Sequence, residues 1–220
     1  DLAYNNTQVR LVGIGAGMTY GPLGPTHHAY EDIAIMRAIP NMKIICPGDP
    51  IETKELICQT YDLDGPLYIR LAKNGEPNIH KNSSDIKFGK AVELINGNDL
   101  ILVTTSNMLE TGNTWVEEWK KEGVNVTLVS MHTIKPLDQK FIEKLISRKL
   151  PIITLEEHNV IGGLGSAVAE IIAESGCTIP FRRIGINDEF SHYVGNHTFQ
   201  RSKFNLIEKP NLDTFFKKSI

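Results

Sequence analysis

Gly21-Pro22-Leu23-Gly24-Pro25-Thr26-His27-His28 is where this sequence concentrates residues able to do chemistry. Imidazoles titrate near neutrality, and glycines let the backbone approach a ligand closely. The pattern predicts Thr26 as the cap of a following helix, with His27 in its first turn. The positive end of the helix dipole there disfavours imidazolium. A neutral ring can donate a hydrogen bond to a substrate oxygen or exchange a proton with it. A Gly/Pro turn with two surface histidines accounts for the same residues without any chemistry. A metal site does not follow, because adjacent histidines point apart and no third ligand is near in sequence.

Arg70, near the end of the apolar run Leu67-Tyr68-Ile69-Arg70-Leu71, is the next candidate. A guanidinium fork suits a phosphate or carboxylate; the alternative is a solvated edge arginine. Glu156-Glu157-His158-Asn159 precedes a glycine cluster at residues 161–166 that enters a helix. That cluster has neither dinucleotide spacing nor the Lys-Ser/Thr of a nucleotide loop. Neighbouring carboxylates on a strand point apart and cannot flank one glycosidic bond. Gly13–Gly17 hints at a dinucleotide turn, but no acidic residue closes a second strand.

These residues need elements to hold them. Short apolar runs at residues 9–14, 43–46 and 67–71 predict strands. A helix is expected over residues 26–39, with Ala29, Ile33 and Met36 inward and Pro40 stopping it. Asp49-Pro50-Ile51-Glu52 is a helix start, with Asp as cap and Pro at the first position, leading to Leu56, Ile57 and Tyr61. The stretch 74–87 reads as a linker. Beyond it, strands are expected at residues 99–104, 124–130, 151–155 and 181–186. Helices are expected at 109–122, 137–146 and 163–174, before a polar, weakly helical tail from Ser191. Val116 and Trp119 face inward on the first, and Leu137, Phe141 and Leu145 share a face of the second. The expected architecture is two three-layer α/β/α units with largely parallel sheets, over residues 1–80 and 88–220, joined by 81–87.

With 41% hydrophobic and 22% charged residues, the chain has an ordinary globular composition. A formal charge of −3 argues against a nucleic-acid partner. No apolar run reaches the ~18 residues of a membrane span. Cys46, Cys58 and Cys177 show no metal or disulfide spacing and are read as reduced core residues of a cytoplasmic protein.

Residues 24–50, GPTHHAYEDIAIMRAIPNMKIICPGDP, resemble the pyrimidine-domain signature shared by transketolases and deoxyxylulose-phosphate synthases. Residues 154–172, TLEEHNVIGGLGSAVAEII, resemble the C-terminal domain of transketolases and of 2-oxoacid dehydrogenase β-subunits. The resemblance covers nearly the whole chain and makes the first unit a partial pyrimidine-binding domain. It implies that His27 lines the substrate channel as a catalytic residue, and that Arg70 binds the phosphate of a sugar. His28 stands where Gln is common and is taken as substrate-binding. Leu23 stands where the family has an Asp that reads a substrate hydroxyl; leucine cannot accept that bond. The glycine cluster of the second segment is structural in the family, near subunit contacts.

Thiamine diphosphate and Mg are implied for a full-length enzyme, with neither expected to bind this chain alone. The family's cofactor-activating Glu and stacking aromatic would precede residue 1. The diphosphate and metal site belongs to another domain. The chain opens without Met and reads as the middle of something longer. Truncation explains the missing Glu better than a separate N-terminal subunit carrying the diphosphate site, the other arrangement considered. The expected activity is two-carbon ketol transfer between sugar-type substrates in a homodimer. A deoxyxylulose-phosphate synthase, a 2-oxoacid dehydrogenase β-subunit and a non-catalytic dimerisation module are the alternatives.

Overall fold

The computed structural model describes residues 1–73 and 75–215. Strand β1 (Arg10–Ile14) leads through two 3-10 turns, Gly21–Leu23 and Pro25–His27, to helix α1 (Asp32–Ala38). Strand β2 (Lys43–Ile45), helix α2 (Pro50–Thr60) and strand β3 (Leu67–Leu71) follow. The second half runs β4 (Val92–Ile95), β5 (Leu100–Thr104), α3 (Met108–Lys121), β6 (Val126–Ser130), β7 (Thr133–Lys135), α4 (Gln139–Ser147), β8 (Ile152–Asn159), α5 (Leu164–Glu174) and β9 (Phe181–Ile186). Two short helices, α6 (His197–Lys203) and α7 (Leu212–Phe215), form the tail.

Both sheets are mixed and mostly parallel, flanked by helices, as expected. The first has the order β1-β3-β2-β7 and the second β4-β6-β5-β8-β9. Among the described strands, only β7 and β4 run antiparallel to their neighbours. Neither was anticipated, since both are short and lack a clear period. β7 belongs to the second half of the chain yet pairs with β2, Ile44 opposite Lys135. The halves also share a core: Ile33, Ile44, Cys46 and Tyr68 pack with Ile101, Val103, Val129 and Val168.

The α2 start is built as read, with Glu52 N–H donating to Asp49 Oδ1 at 2.7 Å. Leu56 is buried there, while Ile57 and Tyr61 are exposed. The described residues of the expected linker have no regular structure but are held to α2: Gln59 Nε2 donates to the Ile86 carbonyl, and Phe88 N–H to Gln59 Oε1. Asn74, its first residue, lies outside the described set. On α3 Val116 and Trp119 are buried, joined by Trp115. On α4 the buried face is Ile142, Leu145 and Ile146, with Leu137 and Phe141 half-buried.

The expected helix over residues 26–39 is corrected. Only its second half is α-helical, because Ala29 makes a reciprocal backbone bridge with Gly17, each amide donating at 2.9 Å. That bridge holds residues 28–30 outside the helix, and α1 begins at Asp32. The cysteine reading also needs correction. Cys46 is a core residue, but Cys58, on the outer face of α2, and Cys177, in the turn after α5, are exposed.

Candidate active site

The loops after β1, β2 and β3 gather at the carboxyl edge of the first sheet, where parallel sheets bind ligands. The loop after β1 is pinched at its base. Gly15 and Ala16 amides both donate to the Leu71 carbonyl, and the Gly17–Ala29 bridge closes it. Gly24 links the two 3-10 turns at φ +79° and ψ −175°, a conformation glycine adopts without steric cost. Thr26 caps no helix; its Oγ1 lies 3.0 Å from His27 Nδ1. His27 ends the second 3-10 turn, exposed, so the dipole of α1 does not bear on it. His28 turns back towards the protein, its ring centroid 5.9 Å from that of buried Tyr30. Neither of its ring nitrogens has a hydrogen-bond partner, and burial pulls its pKa down. The one loop thus presents an exposed imidazole and a half-buried one.

Arg70 is held by partners within the fold. Its side chain is 1% exposed and its donors point inward. Nε donates to Asp32 Oδ2 at 2.8 Å, and Nη2 to the carbonyls of Ala29 and Glu157 at 2.8 and 3.0 Å. Nη1 reaches Ser106 Oγ at 3.2 Å. Tyr68 donates to the same Asp32 oxygen at 2.7 Å. Arg70 therefore ties the base of the histidine loop to β8. Lys73, just past β3, is an exposed cation at this edge, with Nζ 5.3 Å from the Tyr20 ring centroid. It borders a cavity of about 410 Å³ shared with Lys54, Gly48, Asp49 and Leu71. In the sequence, a lysine two residues past a parallel strand is the signal for such a group, while the resemblance points to Arg70.

Glu156 and Glu157 are both buried on β8 and serve different neighbours. Glu156 accepts the amides of Leu164 and Gly165, each at 2.7 Å, at the start of α5. The protein's own carboxylate thus fills the place a phosphate would need at that helix end. Burial pushes Glu156 up to about 7. Glu157 faces the other way, towards Met18 of the histidine loop.

No group of three or more His, Cys, Asp and Glu able to hold a metal occurs among the described residues. No helix among them is long and apolar enough to cross a membrane.

Fold and loop together define a class: paired α/β units with a histidine-bearing loop at the carboxyl edge of a parallel sheet. Residues 1–77 match the transketolase pyrimidine-binding domain, and residues 89–205 match the transketolase C-terminal domain. The chain belongs to the transketolase family. It is 40% identical over 191 residues to a putative transketolase C-terminal section of Methanocaldococcus jannaschii, covering 86% of this chain and 60% of that protein. It is 37% identical over 188 residues to one of the subunits of the apulose-4-phosphate transketolase of Actinobacillus succinogenes, with the same two coverages. Among solved structures, a split-gene transketolase in an inactive beta4 tetramer matches with a TM-score of 0.85 and 30% identity. That match covers 94% of this chain and 65% of the other. The chain thus spans about 60% of the length of these two curated relatives.

Proposed function

We propose that this chain is the C-terminal part of a thiamine-diphosphate-dependent enzyme that transfers a two-carbon ketol unit between phosphorylated sugar-type substrates. The observation that carries the reading is the loop after β1: in a transketolase-family chain, it exposes His27 at the carboxyl edge while His28 forms its half-buried flank. Bound at that edge, the cofactor would supply a carbanion equivalent for breaking and making the carbon–carbon bond. His27 would donate to, or take a proton from, a substrate oxygen. His28 would border the sugar, and its low basicity keeps it neutral as a donor or acceptor. Lys73 would hold the distal phosphate, while Arg70 contributes by fixing Ala29 and Asp32 beneath the loop.

Diphosphate and Mg²⁺ would be held by a separate subunit. That arrangement is supported by the Actinobacillus relative, itself one subunit of its enzyme, and by the inactive beta4 tetramer of the split-gene transketolase. Residues 1–80 and 88–220 would act as the two domains, in a cytoplasmic assembly containing two copies of this chain.

The test is reconstitution of the full-length subunit containing this chain with the diphosphate-binding subunit, thiamine diphosphate and Mg²⁺, assayed with a ketose phosphate donor and an aldose acceptor. His27→Ala should lower kcat/KM by about 100-fold or more while the assembly stays intact. Unchanged turnover would remove His27 from the mechanism. Use of pyruvate in place of a ketose would make the protein a deoxyxylulose-phosphate synthase type. No thiamine-dependent turnover of either donor would leave the dimerisation-module reading.

A further inference from the structure

Glu157 plays no part in the chemistry just described, yet it is joined to the loop that would perform it. Its carboxylate is fully buried and gathers donors from three distant segments. Met18 N–H, in the histidine loop, donates to Oε1 at 2.6 Å. His197 Nε2 lies 2.7 and 2.9 Å from the two oxygens, and Arg201 Nε donates to Oε2 at 2.5 Å. Both are on α6. Asn107, which precedes α3, adds Nδ2 at 3.3 Å. Burial alone would raise the pKa of this acid, but Arg201 and His197 outweigh it and hold the value down at about 2. The site is therefore built around a permanent anion.

Two glycines let the parts approach. Gly17 has φ +62°, and a Cβ there would lie 2.4 Å from Glu157 Oε1. A Cβ on Gly21 would meet the Gly195 carbonyl at 2.7 Å. The tail thus meets the histidine loop by direct backbone contact and again through the carboxylate. Ser191 N–H closes the arrangement by donating to the Tyr30 hydroxyl at 3.0 Å, beside His28.

We propose that Glu157 is a positioning residue for ketol transfer: it locks the histidine loop, residues 18–28, to the tail helix α6 as one wall of the substrate site. The proposal rests on the transketolase-type reading of that loop. Without the anion, Met18 keeps at best a neutral acceptor, and Arg201 and His197 lose the charge that holds α6 in place. The loop should then bind substrate less well, while a turnover that does occur uses the same chemistry. The signature is a change in KM larger than the change in kcat.

The experiment has two arms. In the reconstituted assembly, Glu157→Gln should raise KM for the ketose phosphate about tenfold and change kcat by less than about threefold. On the full chain, histidine NMR titration follows His28, assigned with His28→Asn. Its midpoint should fall in Glu157→Gln, because the carboxylate favours protonated His28. It should rise in His197→Gln, because His197 opposes that protonation. Opposite shifts of one histidine are not produced by general loosening. A folded Glu157→Gln whose KM and His28 titration both match wild type would overturn the proposal. Should that variant not fold, His197→Gln and Arg201→Gln take its place, and a KM within about twofold of wild type in both would overturn it. A wild-type assembly without ketol transfer would defeat the functional reading separately, and the two His28 shifts would still test the lock.

Discussion

Arg70 Nε lies 2.8 Å from Asp32 Oδ2, in an ion pair almost closed to solvent, and its Nη2 joins the Ala29 carbonyl beneath the histidine loop to the Glu157 carbonyl of the second sheet. Removing one partner strands the other. Arg70→Met leaves the Asp32 carboxylate without its cation, with only the Tyr68 hydroxyl on Oδ2, and takes a donor from the carbonyls of Ala29 and Glu157. The expected loss is about 3–5 kcal/mol in urea unfolding. Asp32→Asn should cost less, because amide and hydroxyl can still bond. The double variant Arg70→Met with Asp32→Leu should lose less than the sum of its single changes, since no buried charge is left unpaired.

Glu52 supplies a pH dependence of its own. Its Oε1 lies 3.3 Å from His80 Nε2, and His80 Nδ1 lies 3.0 Å from Asp49 Oδ2. Burial pushes Glu52 up to about 7, against the pull of His80 and Ser130. An acid raised in the folded state keeps its proton longer than in the unfolded chain. Its burial is therefore harmless below pH 4.5 and increasingly destabilising up to about 7. Buried His132, lowered to about 4, acts in the opposite sense between 4 and 6.5, so the wild-type curve alone is a sum. Glu52→Gln, a neutral mimic, isolates the effect. The variant should gain stability over wild type as pH rises from 4.5 to 7, on the order of 3 kcal/mol in all, read from unfolding at each pH.

Accessible thiols separate the three cysteines. Cys58 and Cys177 are exposed, whereas Cys46 is buried with its pKa pushed up. Titration with a thiol reagent under native conditions should label Cys58 and Cys177 promptly. Cys46 should react only after denaturant is added. Rapid native labelling of Cys46 would contradict its place in the core.

Lys73 should behave as an anion ligand. In the reconstituted assembly, Lys73→Ala should raise KM for a ketose phosphate about tenfold, with a smaller effect on an unphosphorylated ketose. Arg70→Lys, by contrast, should lower stability without distinguishing the two substrates, because that cation is committed to internal partners. Added salt should narrow the gap between wild type and Lys73→Ala.

Much of the fold was legible because it follows from local rules. The cap at Asp49 and the apolar, β-branched runs of β1, β5 and β6 need only their neighbours in sequence. His27 and His28 were recognised from the Gly/Pro turn and the family resemblance. Their surroundings were not, because Gly17, Glu157 and His197 come together only when the tail folds over the loop. Arg70 shows the limit most clearly: residue type and strand position matched a ligand role, while the guanidinium's direction was set by Asp32 and by the carbonyls of Ala29 and Glu157.

The linear chain carries the alternation of strands and helices, the family, and the histidine-bearing loop. Hydrophobic period, capping residues and turn glycines are short-range and survive in a linear reading. Long-range packing set β7 at the edge of the first sheet and placed the β-bridge that stops the helix short of Thr26. Only it turned Arg70 inward and left Lys73 facing solvent. Those outcomes depend on which buried polar groups find partners across the fold, and each partner is far away in sequence.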